Sequence, residues 1–179
     1  MLTWLMRAAL RRMEKRYDYD AAYLHDLAQA SPNALMAFFH IQKFAGYREG
    51  APPAALAAAG LVATMAEDCG PCVQIGVAIA KERGVSVEVL RAILAGELDL
   101  MGPDASMAYR FAKASLDRDL ERADPLRDAI LQRWGPKGLA AIALAMAASR
   151  VYPTVKYAMG HGKTCSRITV EGQSVKVAV

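Results

Sequence analysis

The apolar residues of this chain recur mostly three and four positions apart, which is the spacing of a helix with one buried face. The pattern is clear over residues 1–17, where basic side chains lie opposite an apolar stripe, so we predict an amphipathic N-terminal helix. The stripe consists of Leu2, Leu5, Met6, Ala9, Met13 and Tyr17. We interpret this helix as an arm that packs on the body of the chain or on another subunit. A helix lying on an anionic membrane surface is the alternative interpretation.

Proline, glycine and serine divide the following residues into further helices. Ser31 before Pro32 and Ser86 before Val87 are typical N-terminal caps. The predicted helices cover residues 20–30, 32–46, 52–66, 73–83, 87–95, 103–116, 125–134 and 136–152, with Pro153 kinking the last one or starting a short helix that ends near Gly160.

The C-terminal residues follow a different period. Over residues 165–179 apolar and polar side chains alternate, with a turn expected over 171–174, which predicts a short β-hairpin. The fold class is therefore a single all-α domain over residues 1–179 with a small hairpin tail. The alanine-rich stretches 51–66 and 138–149 are interpreted as buried core helices, and no membrane span is expected.

Composition and charge narrow the functional classes. The 179 residues are 54% hydrophobic and 22% charged, which is typical of a globular domain. The net charge of +4 lies entirely within residues 1–16, so the remaining chain offers no basic surface for nucleic acid. The first residues also lack the features of a secretory signal, and we expect a cytoplasmic protein.

The candidate chemistry is centred on Cys69-Gly70-Pro71-Cys72. A Cys-x-x-Cys pair in a chain without an export signal indicates redox or metal chemistry. Pro71 favours the start of a helix, where free N–H groups and the helix dipole stabilise a thiolate. We expect Cys69 to be the exposed attacking thiol and Cys72, one turn later, to be the resolving thiol.

Two acidic residues, Glu67 and Asp68, precede the cysteine pair. Their charges oppose formation of a nearby thiolate, while Glu67 is close enough in sequence to act as its proton acceptor. The alternative interpretation is structural, because acidic residues before a helix often cap its N-terminus. Cys69, Cys72 and Glu67 are the candidate catalytic residues.

An alanine-rich helix, the Cys-x-x-Cys pair and the following Gly84-Val85-Ser86 with Glu88 form a recognisable order. Across residues 52–121 this order resembles the alkylhydroperoxidase D-like branch of the carboxymuconolactone decarboxylase family. The resemblance implies an all-helical homo-oligomer whose cysteines reduce hydroperoxides or exchange disulfides, with a dithiol as electron donor. The family carries a histidine where this chain has Gly76, and a glutamate near the position of Ala57.

Three other interpretations stay open. A non-catalytic helical scaffold of the same fold would account for the absent histidine and glutamate. A zinc site formed by Cys69, Cys72, His161 and Cys165 has a permitted ligand set, although the two pairs lie far apart in sequence. His161, between two glycines, could instead reach the cysteine pair and replace the family histidine. We predict a thiol–disulfide oxidoreductase without a cofactor or resident metal.

Overall fold

The protein, seen in a computed structural model that describes residues 2–162 and 168–178, is built from helices with one small hairpin. The elements are α1 (Leu2–Tyr17), α2 (Ala22–Ala30), α3 (Pro32–Phe39), α4 (Ile41–Ala45), α5 (Pro53–Met65), α6 (Gly70–Glu82), α7 (Val87–Ala95), α8 (Gly102–Leu116), α9 (Leu120–Ala158), β1 (Ile168–Val170) and β2 (Gln173–Val175). The predicted fold class is confirmed.

The helix starts follow the local chemistry of the sequence. The Ser31 hydroxyl accepts a hydrogen bond from the Ala34 amide at 3.2 Å, and Ser86 accepts one from the Val89 amide at 3.3 Å. The predicted helix over 32–46 is divided in two at His40, between α3 and α4.

The long helix α9 differs from its prediction. It begins at Leu120 rather than at Pro125, because the Asp119 carboxylate accepts the Arg122 amide at 3.1 Å and caps the helix more than a turn earlier. Gly135, with φ of 69°, interrupts the helix at the predicted boundary, and Pro153 continues inside it.

The main core surrounds α5. This helix is apolar on every side and packs against α6, α7, α8 and α9, as expected for a helix at the centre of a bundle. Its small side chains, among them Ala55, Ala58 and Ala59, are completely buried and let the neighbouring helices approach closely.

A second hydrophobic cluster forms an N-terminal layer, which we define as residues 2–45 with helices α1 to α4. Its buried residues are Met6, Leu10, Tyr19, Ala21, Tyr23, Leu24, Ala28 and Leu35. Arg16 pairs with Glu82 at 2.9 Å and the Tyr17 hydroxyl donates to the same carboxylate at 3.0 Å, which ties α1 to α6. The amphipathic helix thus packs on the body of its own chain.

Helix α9 contains an 18-residue window with a mean hydropathy of 1.3, and by length and composition alone it is long enough to cross a membrane. Length and composition alone do not test the expectation that the chain has no membrane span, which stays a prediction. The same composition occurs in core helices of soluble proteins, and one face of this helix, with Ala141, Ile142 and Met146, is buried against the bundle.

The C-terminal hairpin is shorter than predicted but in the expected place. Strands β1 and β2 are antiparallel, with Ile168 opposite Val175, and only Glu171 and Gly172 form the turn. Both turn residues have positive φ, as a tight two-residue hairpin turn requires. The side-chain amide of Gln74 exchanges two hydrogen bonds of 2.9 Å with the Thr169 backbone, which fixes the hairpin to α6.

Candidate functional site

Cys69 and Cys72 form a disulfide at the start of α6, with their Cα atoms 5.3 Å apart. The link from α5 turns sharply at Asp68, which has a φ of 48°, a conformation that aspartate tolerates better than most residues. The hydroxyl of Tyr157 donates to the Asp68 carbonyl at 2.8 Å and holds this turn against α9. The pair therefore lies at a helix N-terminus, as the sequence predicts.

The two sulfur-bearing residues differ in exposure, and in the opposite sense to the prediction. Cys69 is completely buried, whereas Cys72 retains 5% of its surface and lines a cavity. The expectation that Cys69 is the exposed thiol was wrong, because packing of α6 on the bundle turns Cys69 inward. A small molecule in the cavity would meet Cys72.

This cavity, which we call the interlayer cavity, has a volume of about 580 Å³ and lies between the main core and the N-terminal layer. Helices α5, α6 and α9 form one side of it and residues of the N-terminal layer form the other. Two half-buried glycines, Gly60 and Gly76, face it, and a Cβ on either would lie within 3.1 Å of Ser149 or Leu61.

A cluster of tyrosines surrounds the Cys72 end of the cavity. The Tyr19 hydroxyl is 4.0 Å from Cys72 Sγ and 3.4 Å from the Tyr23 hydroxyl, and Tyr152 also lines the cavity. Burial raises the pKa of all three phenols above its usual value. They therefore remain protonated near neutral pH, and Tyr19 is available as a hydrogen-bond donor to the sulfur.

A completely buried lysine lies beside these rings. Lys156 Nζ is 4.7 Å from the ring centroid of Tyr19 and 5.6 Å from that of Tyr23, and it donates to the Asp20 carbonyl at 3.1 Å. The aromatic faces and this carbonyl stabilise the ammonium group.

Glu67 does not face the interlayer cavity. Its Oε1 atom is 2.5 Å from Nε of Arg150, and its side chain is 21% exposed. It does not cap α6 either, because Cys69 is the N-cap residue and that helix has no side-chain capping bond. The proton-acceptor role of Glu67 remains a prediction, and the geometry places Tyr19 rather than Glu67 beside the cavity sulfur.

Of His161 and Cys165, which the sequence analysis considered as partners of the cysteine pair, only His161 lies within the described residues. His161 Nε2 lies 2.7 Å from an Asp26 carboxylate oxygen, so His161 binds α2 instead of standing in for the family histidine. Cys165 lies outside the described residues. Among residues 2–162 and 168–178, no group of three His, Cys, Asp or Glu side chains is arranged to hold a metal ion.

No family model, curated protein or solved structure matches this chain. The resemblance to the carboxymuconolactone decarboxylase family therefore stays a prediction. One structural fact bears on it. Gly76, at the expected position of the family's histidine, and Ala57, near the expected position of its glutamate, both line the interlayer cavity together with Cys72.

Sequence reasoning missed Tyr19 and Tyr23, and it did not connect Lys156 with the cysteine pair. Tyr19 lies between α1 and α2, and Tyr23 lies in α2, about 50 residues before the cysteines. Lys156 is more than 80 residues after the cysteines. Packing of the N-terminal layer brings the two tyrosines to the Cys72 end of the cavity. The one local signal is a buried-helix pattern that contains a lysine, since lysine is rarely buried without a partner.

Proposed function

We propose that the protein is a thiol–disulfide oxidoreductase that reduces a small organic hydroperoxide or disulfide inside the interlayer cavity. The observation that carries the proposal is the position of Cys72, which belongs to a disulfide and also lines a cavity of about 580 Å³. A buried structural disulfide has no need of such a cavity. A reactive one needs an approach path to one sulfur atom.

In the reduced protein, the Cys72 thiolate attacks the terminal oxygen of a hydroperoxide. The O–O bond breaks, the alkoxide takes up a proton to leave as an alcohol, and Cys72 becomes a sulfenic acid. The Cys69 thiol then attacks the Cys72 sulfur, water leaves, and the disulfide forms. For a disulfide substrate, Cys72 first forms a mixed disulfide and Cys69 then displaces the substrate's second thiol.

An external dithiol completes the cycle. Its thiolate attacks Cys72, because this sulfur is the one that reaches the cavity, and Cys69 leaves as a thiolate. The second thiol of the donor resolves the mixed disulfide, so the donor is oxidised and both cysteines are reduced. We propose the reducing cytoplasm as the compartment in which this cycle operates.

Three groups support a thiolate at Cys72. The N-terminus of α6 directs its free N–H groups and its dipole toward the cysteine pair. Tyr19 places its hydroxyl 4.0 Å from the sulfur. The ion pair with Arg150 neutralises the charge of Glu67, which would otherwise oppose ionisation.

The proposal is tested by turnover of cumene hydroperoxide and of an aromatic disulfide, with dithiothreitol as donor. We expect Cys72→Ser to abolish both activities. Without dithiothreitol, Cys69→Ser should form one stable mixed disulfide at Cys72 with the aromatic disulfide and then stop, because the resolving thiol is missing. Cys165→Ser, which removes the cysteine outside the Cys-x-x-Cys pair, is the matched control and should retain the wild-type rates.

Each alternative has its own result. A mixed disulfide that forms at Cys69 in Cys72→Ser, and none in Cys69→Ser, would reverse the assignment of the two sulfurs. A wild-type protein whose thiols react with neither substrate would support the non-catalytic scaffold. The redox potential provides an independent check, since a working cytosolic dithiol is expected at roughly −200 to −300 mV.

A further inference from the structure

The interlayer cavity follows the length of α6. The lining on this side consists of Cys72, Ile75, Gly76, Ile79, Ala80 and Glu82 of α6 and of its C-cap residue Arg83, and most of these recur at helical spacing along one face. Cys72 and Arg83 are eleven residues apart, which corresponds to roughly 16 Å along the axis at 1.5 Å per residue. The cavity is therefore elongated, with the disulfide at one end and Arg83 at the other.

Between these ends the lining is apolar and small. Helix α5 runs alongside α6 and contributes a matching face, whose residues are Pro53, Leu56, Ala57, Gly60, Leu61 and Thr64. Ala57 and Ala80 keep the lining small, while Gly60 and Gly76 let Ser149 and Leu61 approach the backbone closely. A linear apolar chain fits this shape better than a compact polar molecule.

The end opposite the disulfide is positively charged. Arg48 and Arg83 both line the cavity, and the charge of Arg48 acts on the guanidinium of Arg83. Burial lowers the pKa of both guanidinium groups, and for Arg83 the charge of Arg48 lowers it further. Both remain cationic near neutral pH. Like charges repel each other, and an anion between Arg48 and Arg83 would relieve that repulsion.

The acidic residue at this end is already engaged. Glu82 lines the cavity and its charge partly offsets that of Arg83, but its carboxylate oxygens accept hydrogen bonds from Arg16 at 2.9 Å and from the Tyr17 hydroxyl at 3.0 Å. Arg48 donates one hydrogen bond to the Ala45 carbonyl at 3.4 Å. Because a guanidinium has five N–H donors, it can bind an anion as well.

We propose that the interlayer cavity binds a single-chain aliphatic carboxylate, with its carboxylate at Arg48 and Arg83 and its chain along α5 and α6. This inference rests on the proposed function for one point only, that the substrate's peroxide or disulfide group lies on the chain at Cys72. The substrate class would then be a long-chain carboxylic acid that carries a hydroperoxide or a disulfide. Arginine pairs are well suited to bidentate recognition of a carboxylate.

Binding is measured by calorimetry with dodecanoate, which carries no reactive group. We expect Arg48→Met/Arg83→Met to bind dodecanoate at least tenfold more weakly than wild type, while binding of dodecanol stays unchanged. For wild type, affinity should rise about fourfold per methylene from octanoate to dodecanoate, as each methylene leaves water. Arg11→Met/Arg110→Met removes the same charge at two exposed positions and should bind dodecanoate as wild type does.

The proposal is overturned if the Arg48/Arg83 double variant keeps wild-type affinity for dodecanoate. It is equally overturned if dodecanol binds wild type as tightly as dodecanoate, or if affinity does not depend on chain length. Should the double variant fold poorly, Ala57→Leu fills the middle of the cavity instead and should weaken dodecanoate binding while leaving both arginines in place.

The two proposals fail separately. Arginine-dependent binding of dodecanoate by Cys69→Ser/Cys72→Ser, together with no turnover by wild type, would keep the carboxylate site and remove the redox function. Turnover of cumene hydroperoxide that is identical in wild type and Arg48→Met/Arg83→Met, without dodecanoate binding by either protein, would do the reverse.

Discussion

The two hydrophobic clusters of this protein are built from different residues. The main core is rich in alanine, and its central helix α5 buries nine of thirteen residues. The N-terminal layer buries larger side chains, among them Tyr19, Tyr23 and Leu35, and its helix α4 buries none. Small residues let the core helices pack closely, whereas large residues let the layer close over the core without filling every space.

This difference accounts for the position of the candidate site. The disulfide belongs to the bundle, while Tyr19 and Tyr23 beside it come from the layer. Neither cluster has the complete site by itself. The interlayer cavity lies at the boundary, where two surfaces that pack well internally meet less completely.

The largest expected effect comes from removing one core side chain in each cluster. Ile142 and Leu35 are both completely buried. Truncation of such a residue to alanine costs about 2–5 kcal/mol. We expect Ile142→Ala to lower the free energy of global unfolding by that amount. Leu35→Ala should instead mainly lower the free energy of opening of the N-terminal layer, measured by amide hydrogen exchange.

The control is the rate at which a bulky maleimide alkylates Cys72 in the reduced protein. Leu35→Ala should increase this rate, because the layer covers the cavity that Cys72 faces. Ile142→Ala should leave it close to wild type under conditions in which both proteins are folded. Equal exchange changes in α1 and α5 for Leu35→Ala would show that the two clusters open as one cooperative unit.

A smaller effect is expected from Tyr19→Phe, which removes the hydroxyl that lies 4.0 Å from Cys72 Sγ. A donor to the thiolate lowers its pKa, so loss of the hydroxyl should raise the pKa of the Cys72 thiol by about 1 unit. The pH dependence of alkylation should move upward accordingly, and the rate of disulfide exchange at pH 7 should fall by up to about threefold, because the loss of thiolate is partly offset by its greater nucleophilicity.

Tyr152→Phe is the matched control for Tyr19→Phe. Tyr152 lines the same cavity, and its ring packs on Phe38 with the ring centroids 5.3 Å apart. Its removal should leave the pKa of the Cys72 thiol within 0.3 units or so of wild type. An equal shift in both variants would show that general burial, rather than the Tyr19 hydroxyl, controls the thiol.

Local signals in the sequence predicted most of the fold. Serine caps, proline positions and helical spacing gave the helices, and alternation over the last residues gave the hairpin. The prediction was less accurate for the first residue of α9 and for the partner of His161. Asp119 caps α9 before the Asp124-Pro125 pair, and His161 pairs with Asp26 instead of approaching the cysteines.

The candidate site was predictable only as far as the Cys-x-x-Cys pair and its helix. Which cysteine is accessible depends on the side of α6 that the bundle covers, and spacing within the motif does not contain that information. Tyr19 joins the cavity through packing of the N-terminal layer and Arg48 through the link between α4 and α5, at sequence distances where no periodicity connects them to Cys72.

The smallest expected effect concerns the ion pair that joins the two regions. Hydrogen bonding from Arg16 holds the pKa of Glu82 below its ordinary value of 4.5 in the folded protein. Its stabilising contribution is therefore fully present above pH 4.5 and is lost as the pH falls through the lower, folded-state pKa. We expect Glu82→Gln to lower Tm by on the order of 1–2 °C at pH 7, since both side chains are largely exposed.

The difference in Tm between wild type and Glu82→Gln should close as the pH is lowered from 4.5 toward 3, and it should also shrink in 1 M salt, which screens exposed charges. Glu97→Gln removes an equal charge from an exposed position outside the boundary and should show neither dependence. A Tm difference that persists at pH 3 would mean that Glu82 holds the N-terminal layer through packing of its side chain. In that case α1 is attached to α6 by shape rather than by charge, and the layer would stay closed over the cavity at any ionic strength.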